Sequence, residues 1–211
     1  TTAGRWVKTP NTRRSARDVW ETFNLVTGHP ADRLTTGGAQ QGLERRTLQK
    51  RNFLFLAITF VVTLLDQATK AWIISTMRLY DSFVVIGGFF NITHVRNPGA
   101  AFGFLAGAPP LFRYLFFLAV TVAAIVLILH YLRVSRIEEP SLVSALALIL
   151  AGAVGNLIDR IRFGEVVDFL DVYIGGYHWP AFNVADSAIT VGAGVLMAVL
   201  LRRRKERTEV N

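Results

Sequence analysis

The sequence predicts an all-α membrane protein, with four transmembrane helices and a small extracytoplasmic β-sheet. Three observations lead there. Four apolar runs, residues 53–74, 111–132, 142–158 and 184–201, stand out in a 211-residue chain that is 52% hydrophobic, with mean hydropathy +0.37. Lys and Arg gather before the first run, between the second and third, and after the fourth. Beyond the first run the composition turns β-branched and aromatic around paired glycines.

The runs are about 22, 22, 17 and 18 residues long. At ~1.5 Å rise per residue and a ~30 Å hydrocarbon core, the longer two span easily and the shorter two just reach. Buried helices of a soluble protein are the alternative, and four such runs in one short chain disfavour it. None reads as a cleaved signal peptide, because the first begins only at Phe53. With no cysteine, disulfides, thiolate metal sites and a cysteine nucleophile are excluded.

Residues 1–51 carry a net +6 and residues 202–211 a net +3, whereas the loop 133–139 balances at zero but holds Arg133 and Arg136. Only Lys and Arg count toward orientation, so these three segments share one side. The reading is N-in and C-in, with residues 75–110 and 159–183 outside. That bias already explains the basic ends, and no nucleic-acid role is assigned to them.

Residues 1–52 read as a polar, basic and flexible cytosolic tail, with 19–26 a short amphipathic piece at the membrane surface. The membrane domain is 53–201, and 202–211 is a basic cytosolic C-terminus. Toward the outer end of run one stand Asp66, Gln67 and Lys70. Asp66 and Lys70 share a helical face in the favourable order. They read either as an internal ion pair that makes both charges tolerable or as a support for a site.

Residues 82–104 read as a hairpin across Gly87-Gly88, with a turn at Asn97-Pro98-Gly99. Such a sheet could cradle an extended peptide by strand addition. Gly87-Gly88 and Pro98-Gly99 are candidate hinges, and His94 reads as an exposed sheet residue rather than a ligand. Pro140 and Ser141 open run three. Gly152, Ala153 and Gly155 there, and Gly192, Ala193 and Gly194 in run four, permit close helix packing. Run four is expected to stop at Arg202-Arg203-Arg204-Lys205.

The polar stretch 156–186 joins the last two runs and carries Asn156, Asp159, Arg160, Asp168, Asp171, Asn183 and Asp186. Asn156, Asp159 and Arg160 share one face of a helix end. They read as a polar terminus with an Asp159–Arg160 or interhelical ion pair, or as a site in which Arg160 holds a carbonyl or an anionic lipid group. Residues 164–172 read as a short strand bearing Asp168 and Asp171. Asn183 and Asp186 sit where an N-cap and N3 pair would satisfy free N–H groups. Asp168 and Asp186, with Gly175-Gly176 between them, can fold back to face each other. Like charges ~3 Å apart cannot both ionise, so a proton is shared. One carboxylate then deprotonates water while the other polarises a carbonyl, which hydrolyses a peptide without cofactor, metal or covalent intermediate. No HExxH or Gly-x-Ser-x-Gly motif competes.

Five blocks in order, DQATK (66–70), NPGAAFG (97–103), GNLIDR (155–160), VVDF (166–169) and FNVADS (182–187), resemble the signature blocks of bacterial lipoprotein signal peptidase, signal peptidase II. The resemblance covers roughly residues 53–201, with no departure inside the blocks; the segment before Phe53 is longer than the family's usual short start. It implies a four-helix aspartic peptidase of the bacterial inner membrane that cuts diacylglyceryl-modified prolipoprotein just before the lipidated cysteine. Asp168 and Asp186 would be the catalytic dyad. Asn97, Asn156, Arg160 and Asn183 would position substrate and dyad, and Asp66, Lys70 and Asp159 would support them. The expected partners are the prolipoprotein and membrane lipids, and the expected state is a monomer. The alternative from another class is a small proton-coupled transporter or channel subunit using the carboxylates as a relay. A membrane scaffold would tolerate Asp168→Asn and Asp186→Asn. A presenilin-like or prepilin-type protease is disfavoured by the lack of a Gly-x-Gly-Asp block.

Overall fold

The structure, a computed structural model, describes residues 30–99, 105, 107–135 and 139–210. The chain divides into two compact units, residues 1–47 and 48–211. The described elements run α1 (Pro30–Thr76), β1 (Ser82–Ile86), β2 (Phe90–Asn97), α2 (Pro110–Val134), α3 (Pro140–Phe163), β3 (Val166–Ile174), β4 (Tyr177–His178) and α4 (Val184–Val210). All four helices contain a stretch long and apolar enough to cross a membrane. The piece expected at 19–26 and the small run at 100–104 lie outside the described residues.

Three boundaries differ from expectation. Helix α1 starts at Pro30, so residues 30–51 are helical rather than an irregular tail. No proline interrupts it after Pro30, and the stretch LERRTLQKR at 43–51 is rich in good helix formers. Such residues extend an existing helix without a new nucleation cost. Helix α3 continues five residues past Ile158, through Asp159 and Arg160. It closes at Gly164, whose left-handed φ of 76° lets its N–H donate to the Arg160 carbonyl at 2.9 Å. Helix α4 does not stop at the basic residues 202–205. Pairs Arg202–Glu206 (3.6 Å) and Lys205–Glu209 (3.8 Å), each four apart, accompany it onward.

Helix α3 is the central helix. It buries Leu142, Val143, Leu146, Ala147 and Leu150 against Phe55 of α1 and Val199 of α4. Helices α1 and α2 turn Phe53, Leu56, Phe60, Leu64, Leu111, Leu115 and Leu127 outward. A side-chain ladder joins α1 to α3: Thr59 Oγ1 donates to the Ala147 carbonyl (3.4 Å), Thr63 Oγ1 to Ala151 (3.3 Å) and Gln67 Nε2 to Gly155 (3.1 Å). Both partners advance by four at each rung, so the two helices run parallel, as a first and third span must. Helices α3 and α4 meet at small residues. A Cβ on Gly152 would overlap the Ala185 carbonyl, and one on Gly192 would lie 2.8 Å from the Ala145 carbonyl. Gly194 faces open space and plays no part in that contact.

The sheet is antiparallel, in the order β1-β2-β3-β4. Its hairpin turn uses Gly88 at φ 77°, as the paired glycines predict. Val167 and Phe169 of β3 are buried against Ile73 near the end of α1, with Met77 and Ile92 beside them. This seating corrects the expectation for His94. It is 5% exposed, not a surface residue, and its Nδ1 lies 3.0 Å from the Met77 carbonyl oxygen. The turn that follows α1 clasps this part of β2: the Tyr80 N–H donates to the His94 carbonyl at 2.7 Å, and the His94 N–H to the Asp81 carbonyl at 3.0 Å.

Candidate active site

Antiparallel pairing delivers the first carboxylate. Asp168 of β3 stands opposite Val95 of β2, so Asn97, two residues on, shares its face. Asn97 Nδ2 donates to Asp168 Oδ2 at 2.9 Å. The chain entering α4 then pairs with β3 itself. The Phe182 carbonyl accepts from the N–H groups of Phe169 and Leu170, at 3.0 and 2.8 Å, and the Phe182 N–H donates to the Leu170 carbonyl at 3.0 Å. This addition sets the first turn of α4 beside Asp168.

Asn183 caps that turn. Its Oδ1 accepts the Asp186 N–H at 2.8 Å, and its own N–H donates to Asp186 Oδ2 at 3.3 Å, a reciprocal capping box. Its Nδ2 reaches Asp168 Oδ1 at 2.7 Å, and the Val167 carbonyl and Asn156 Oδ1 at 3.2 Å each. Asn156 of α3 in turn donates its Nδ2 to Asp186 Oδ1 at 2.8 Å. Every oxygen of the two carboxylates therefore accepts from an amide N–H.

Beneath them lies a buried ionic network. Lys70 Nζ is 2.9 Å from Asp66 Oδ2, 2.8 Å from Asp159 Oδ2 and 3.1 Å from Asn156 Oδ1. Asp66 and Lys70 thus form the internal ion pair, and Lys70 also reaches Asn156. Asp159 pairs with Lys70 across helices, not with Arg160. Each acid also holds a backbone N–H. Asp66 Oδ1 accepts from Ala185 at 2.9 Å, and Asp159 Oδ2 from Val167 at 3.2 Å. Ala185 precedes Asp186, and Val167 precedes Asp168. The network thus grips the chain one residue before each carboxylate. A Cβ on Gly155 would lie 2.5 Å from Asp66 Oδ2, so the network needs glycine there.

Gln67 went without a role in the sequence reading. Its Nε2 lies 3.1 Å from Asp66 Oδ2 and 3.2 Å from Asp159 Oδ1, a second bridge between the two acids beside that of Lys70. The available signal was the run of polar residues Asp-Gln-x-x-Lys within an apolar helix. Arg160 is half-buried; its Nη1 is 3.5 Å from the Asn156 carbonyl and its guanidinium lies 5.6 Å from the Phe117 ring centre. Asp171 stands apart from Asp168. It accepts from Asn91 Nδ2 at 2.9 Å and lies 2.8 Å from His178 Nδ1, with Tyr173 stacked on the imidazole.

Burial, with the Asp186 carboxylate adding to it, pushes Asp168 up from its ordinary value to about 7. The amides of Asn97 and Asn183 and the Lys70 charge act in the opposite sense and are outweighed. A carboxyl poised near neutrality beside a second carboxylate is the arrangement that acid–base catalysis requires. Among the described residues, no group of three or more His, Cys, Asp or Glu is arranged to hold a metal ion.

Residues 58–202 match the family model described as signal peptidase (SPase) II. A lipoprotein signal peptidase of Syntrophus aciditrophicus is 58% identical over 76% of this chain and 100% of its own length. Another, from Geobacter sulfurreducens, is 51% identical over 73% of this chain and 95% of its own length. A bacterial membrane enzyme solved by the in meso method at 2.3 Å resolution superposes with a TM-score of 0.65 at 39% identity, covering 72% of this chain and 90% of the other. These comparisons give no support to the transporter or channel alternative. A matched family model over most of the chain, relatives above half identity, and paired carboxylates held at one end of four membrane-spanning helices lead to one conclusion: this multi-pass membrane protein belongs to the signal peptidase II family of aspartic peptidases.

Proposed function

We propose that the chain removes the signal peptide from diacylglyceryl-modified prolipoproteins in the bacterial inner membrane, cutting just before the lipidated cysteine, with Asp168 and Asp186 as the dyad. The observation that carries this reading is the grip of Asn183 on both acids at once: its side chain on Asp168, its backbone and Oδ1 on Asp186.

Asp168, near neutral, carries the shared proton; Asp186 sits at the start of α4, where free N–H groups favour a negative charge. A water between them gives a proton to Asp186 as its oxygen bonds to the scissile carbonyl carbon. Asp168 gives its proton to the carbonyl oxygen, leaving a gem-diol. Collapse returns a diol proton to Asp168, while the proton on Asp186 passes to the departing nitrogen as the C–N bond breaks. Both acids end as they began, with no metal or covalent intermediate.

Asn97, Asn156 and Asn183 fix the carboxylates. Arg160, beside Asn156 and partly open, is placed to hold a substrate carbonyl. Asp66, Lys70 and Asp159 support the dyad from below. Acyl chains stay in the bilayer while the peptide enters over the sheet. The basic residues at both ends and in the loop 133–139 support an N-in, C-in orientation with the dyad at the extracytoplasmic face.

The test uses purified protein with diacylglyceryl-modified prolipoprotein and an unlipidated control. Cleavage that requires the lipid and disappears in Asp168→Asn and in Asp186→Asn is expected. Robust cleavage by either variant would remove the dyad, and equal cleavage of the unlipidated chain would remove the substrate assignment.

A further inference from the structure

At the membrane face opposite the dyad, α1 and α2 enclose a cavity of about 400 Å³. Arg51, its α1 landmark, lies nineteen positions before Lys70, about 28 Å along the helix at ~1.5 Å per residue. Phe55, 2% exposed, is among its apolar walls with Leu56, Leu129 and Leu132, and Arg51 and Arg133 stand at its mouth. Leu56 is 64% exposed and Leu129 46% exposed, so the groove opens sideways, toward where acyl chains lie.

Among the described residues, neither arginine has an acidic partner. Arg51 donates to Asn52 Oδ1, at 3.1 Å through Nε and 3.0 Å through Nη2, and to the Ser135 carbonyl at 3.3 Å through Nη1. Those bonds fix the guanidinium without neutralising it. Arg133 has no ion pair and no side-chain hydrogen bond to a described residue. Glu139, the described acid of the adjoining loop, is committed to Arg202 and Arg203. Two guanidiniums at the polar rim of an apolar groove, at bilayer headgroup level, match a phosphodiester with an acyl chain below it.

We propose that this groove is a binding site for one anionic phospholipid of the leaflet opposite the active site, its phosphate between Arg51 and Arg133 and one acyl chain along Phe55, Leu56, Leu129 and Leu132. A headgroup with a net negative charge is preferred, because a zwitterionic one brings its own cation to the same place. The site touches none of the catalytic groups, and the inference does not depend on the substrate proposed above.

Native mass spectrometry of the full chain, titrated with dioleoyl phosphatidylglycerol and separately with dioleoyl phosphatidylcholine, tests it. The wild type is expected to retain one phosphatidylglycerol at concentrations where phosphatidylcholine dissociates. Arg51→Gln and Arg133→Gln should each weaken that retention about fivefold and the pair about thirtyfold, at roughly 1 kcal/mol per cation near a phosphate. Leu129→Trp, which fills the groove and keeps both charges, should abolish it, so the proposal survives any folding failure of the double variant. Arg78→Gln, at the other face, should change nothing. Equal retention of the two lipids, an unaltered double variant, or an equal effect of Arg78→Gln would overturn the site. Displacement by sn-glycerol 3-phosphate would overturn the lipid assignment in favour of a soluble phosphate anion.

Discussion

Asn183 and Asp186 hold each other in both directions: the Asp186 N–H donates to Asn183 Oδ1 at 2.8 Å, and the Asn183 N–H donates to Asp186 Oδ2 at 3.3 Å. In a soluble helix this exchange would be a cap worth about 1 kcal/mol. Here the capping amide also reaches Asp168 at 2.7 Å, so one side chain orders the helix start and the pair of acids together.

Replacing Asn183 by Ala is therefore expected to reduce kcat by about 10²–10³, in the range for removing one preorganised donor. Substrate affinity should change little. Steady-state cleavage of a lipidated substrate, with kcat and KM resolved separately, checks this; a pure KM effect would contradict it.

A carboxyl that stays protonated up to about pH 7 makes the wild type pH-sensitive in stability. The unfolded chain gives up this proton near the ordinary aspartate value of 3.8, so folding stability falls as pH rises from there to about 7 and then levels off. Asp168→Asn removes the effect. Its melting temperature should exceed that of the wild type by a margin that is smallest near pH 4 and fully developed above pH 7. Thermal melts across that range in one detergent measure it.

The same proton sets the rate. Hydrolysis by the wild type should decline above about pH 7, as Asp168 loses the proton it must give to the carbonyl oxygen. A pH profile of kcat flat to pH 9 would contradict the assignment of the proton to Asp168.

Lys70 and Gln67 should differ in what their loss costs. Lys70→Met leaves Asp66 and Asp159 buried and uncompensated, a change that typically costs 3–5 kcal/mol, and folded protein should be scarce. Gln67→Leu breaks bonds to the same acids but leaves their counter-ion, so about 1–3 kcal/mol is expected. Fluorescence-detected gel filtration after a heating series ranks the two; the reverse order would contradict the network described here.

The contact between α3 and α4 predicts a contrast among glycines. Gly152→Leu should prevent the two helices from meeting, because its Cβ would already overlap the Ala185 carbonyl, and detergent-soluble folded protein should be lost. Gly194→Ala should be tolerated, since nothing approaches that position.

The spans were legible because apolar length is read directly from composition, and the hairpin because Gly87-Gly88 marks its turn. The helix ends were less so. An apolar window reports where lipid is, whereas residues 30–51 and 202–210 are helical outside it. His94 was misplaced because strand alternation does not reveal what covers each face. Gly192 and Gly194 look alike in sequence, and only the rotation of α4 decides which one meets α3. The bonds Asp66–Ala185 and Asp159–Val167 left no sequence signal, since every residue but proline offers a backbone N–H. What did carry information was the fixed order of polar residues that apolar helices would otherwise exclude.

The bond from Ala185 to Asp66 joins the last span to the first, across 119 positions. Its consequence concerns biosynthesis. A nascent chain carrying three inserted helices has Asp168 but neither Asn183 nor Asp186, and Asp66 has no N–H from α4 to receive. With Asp168 and Asp186 as the proposed dyad, no partly synthesised form is expected to cut a passing polypeptide during translocation. The peptidase comes into existence only when its own fourth span is in place.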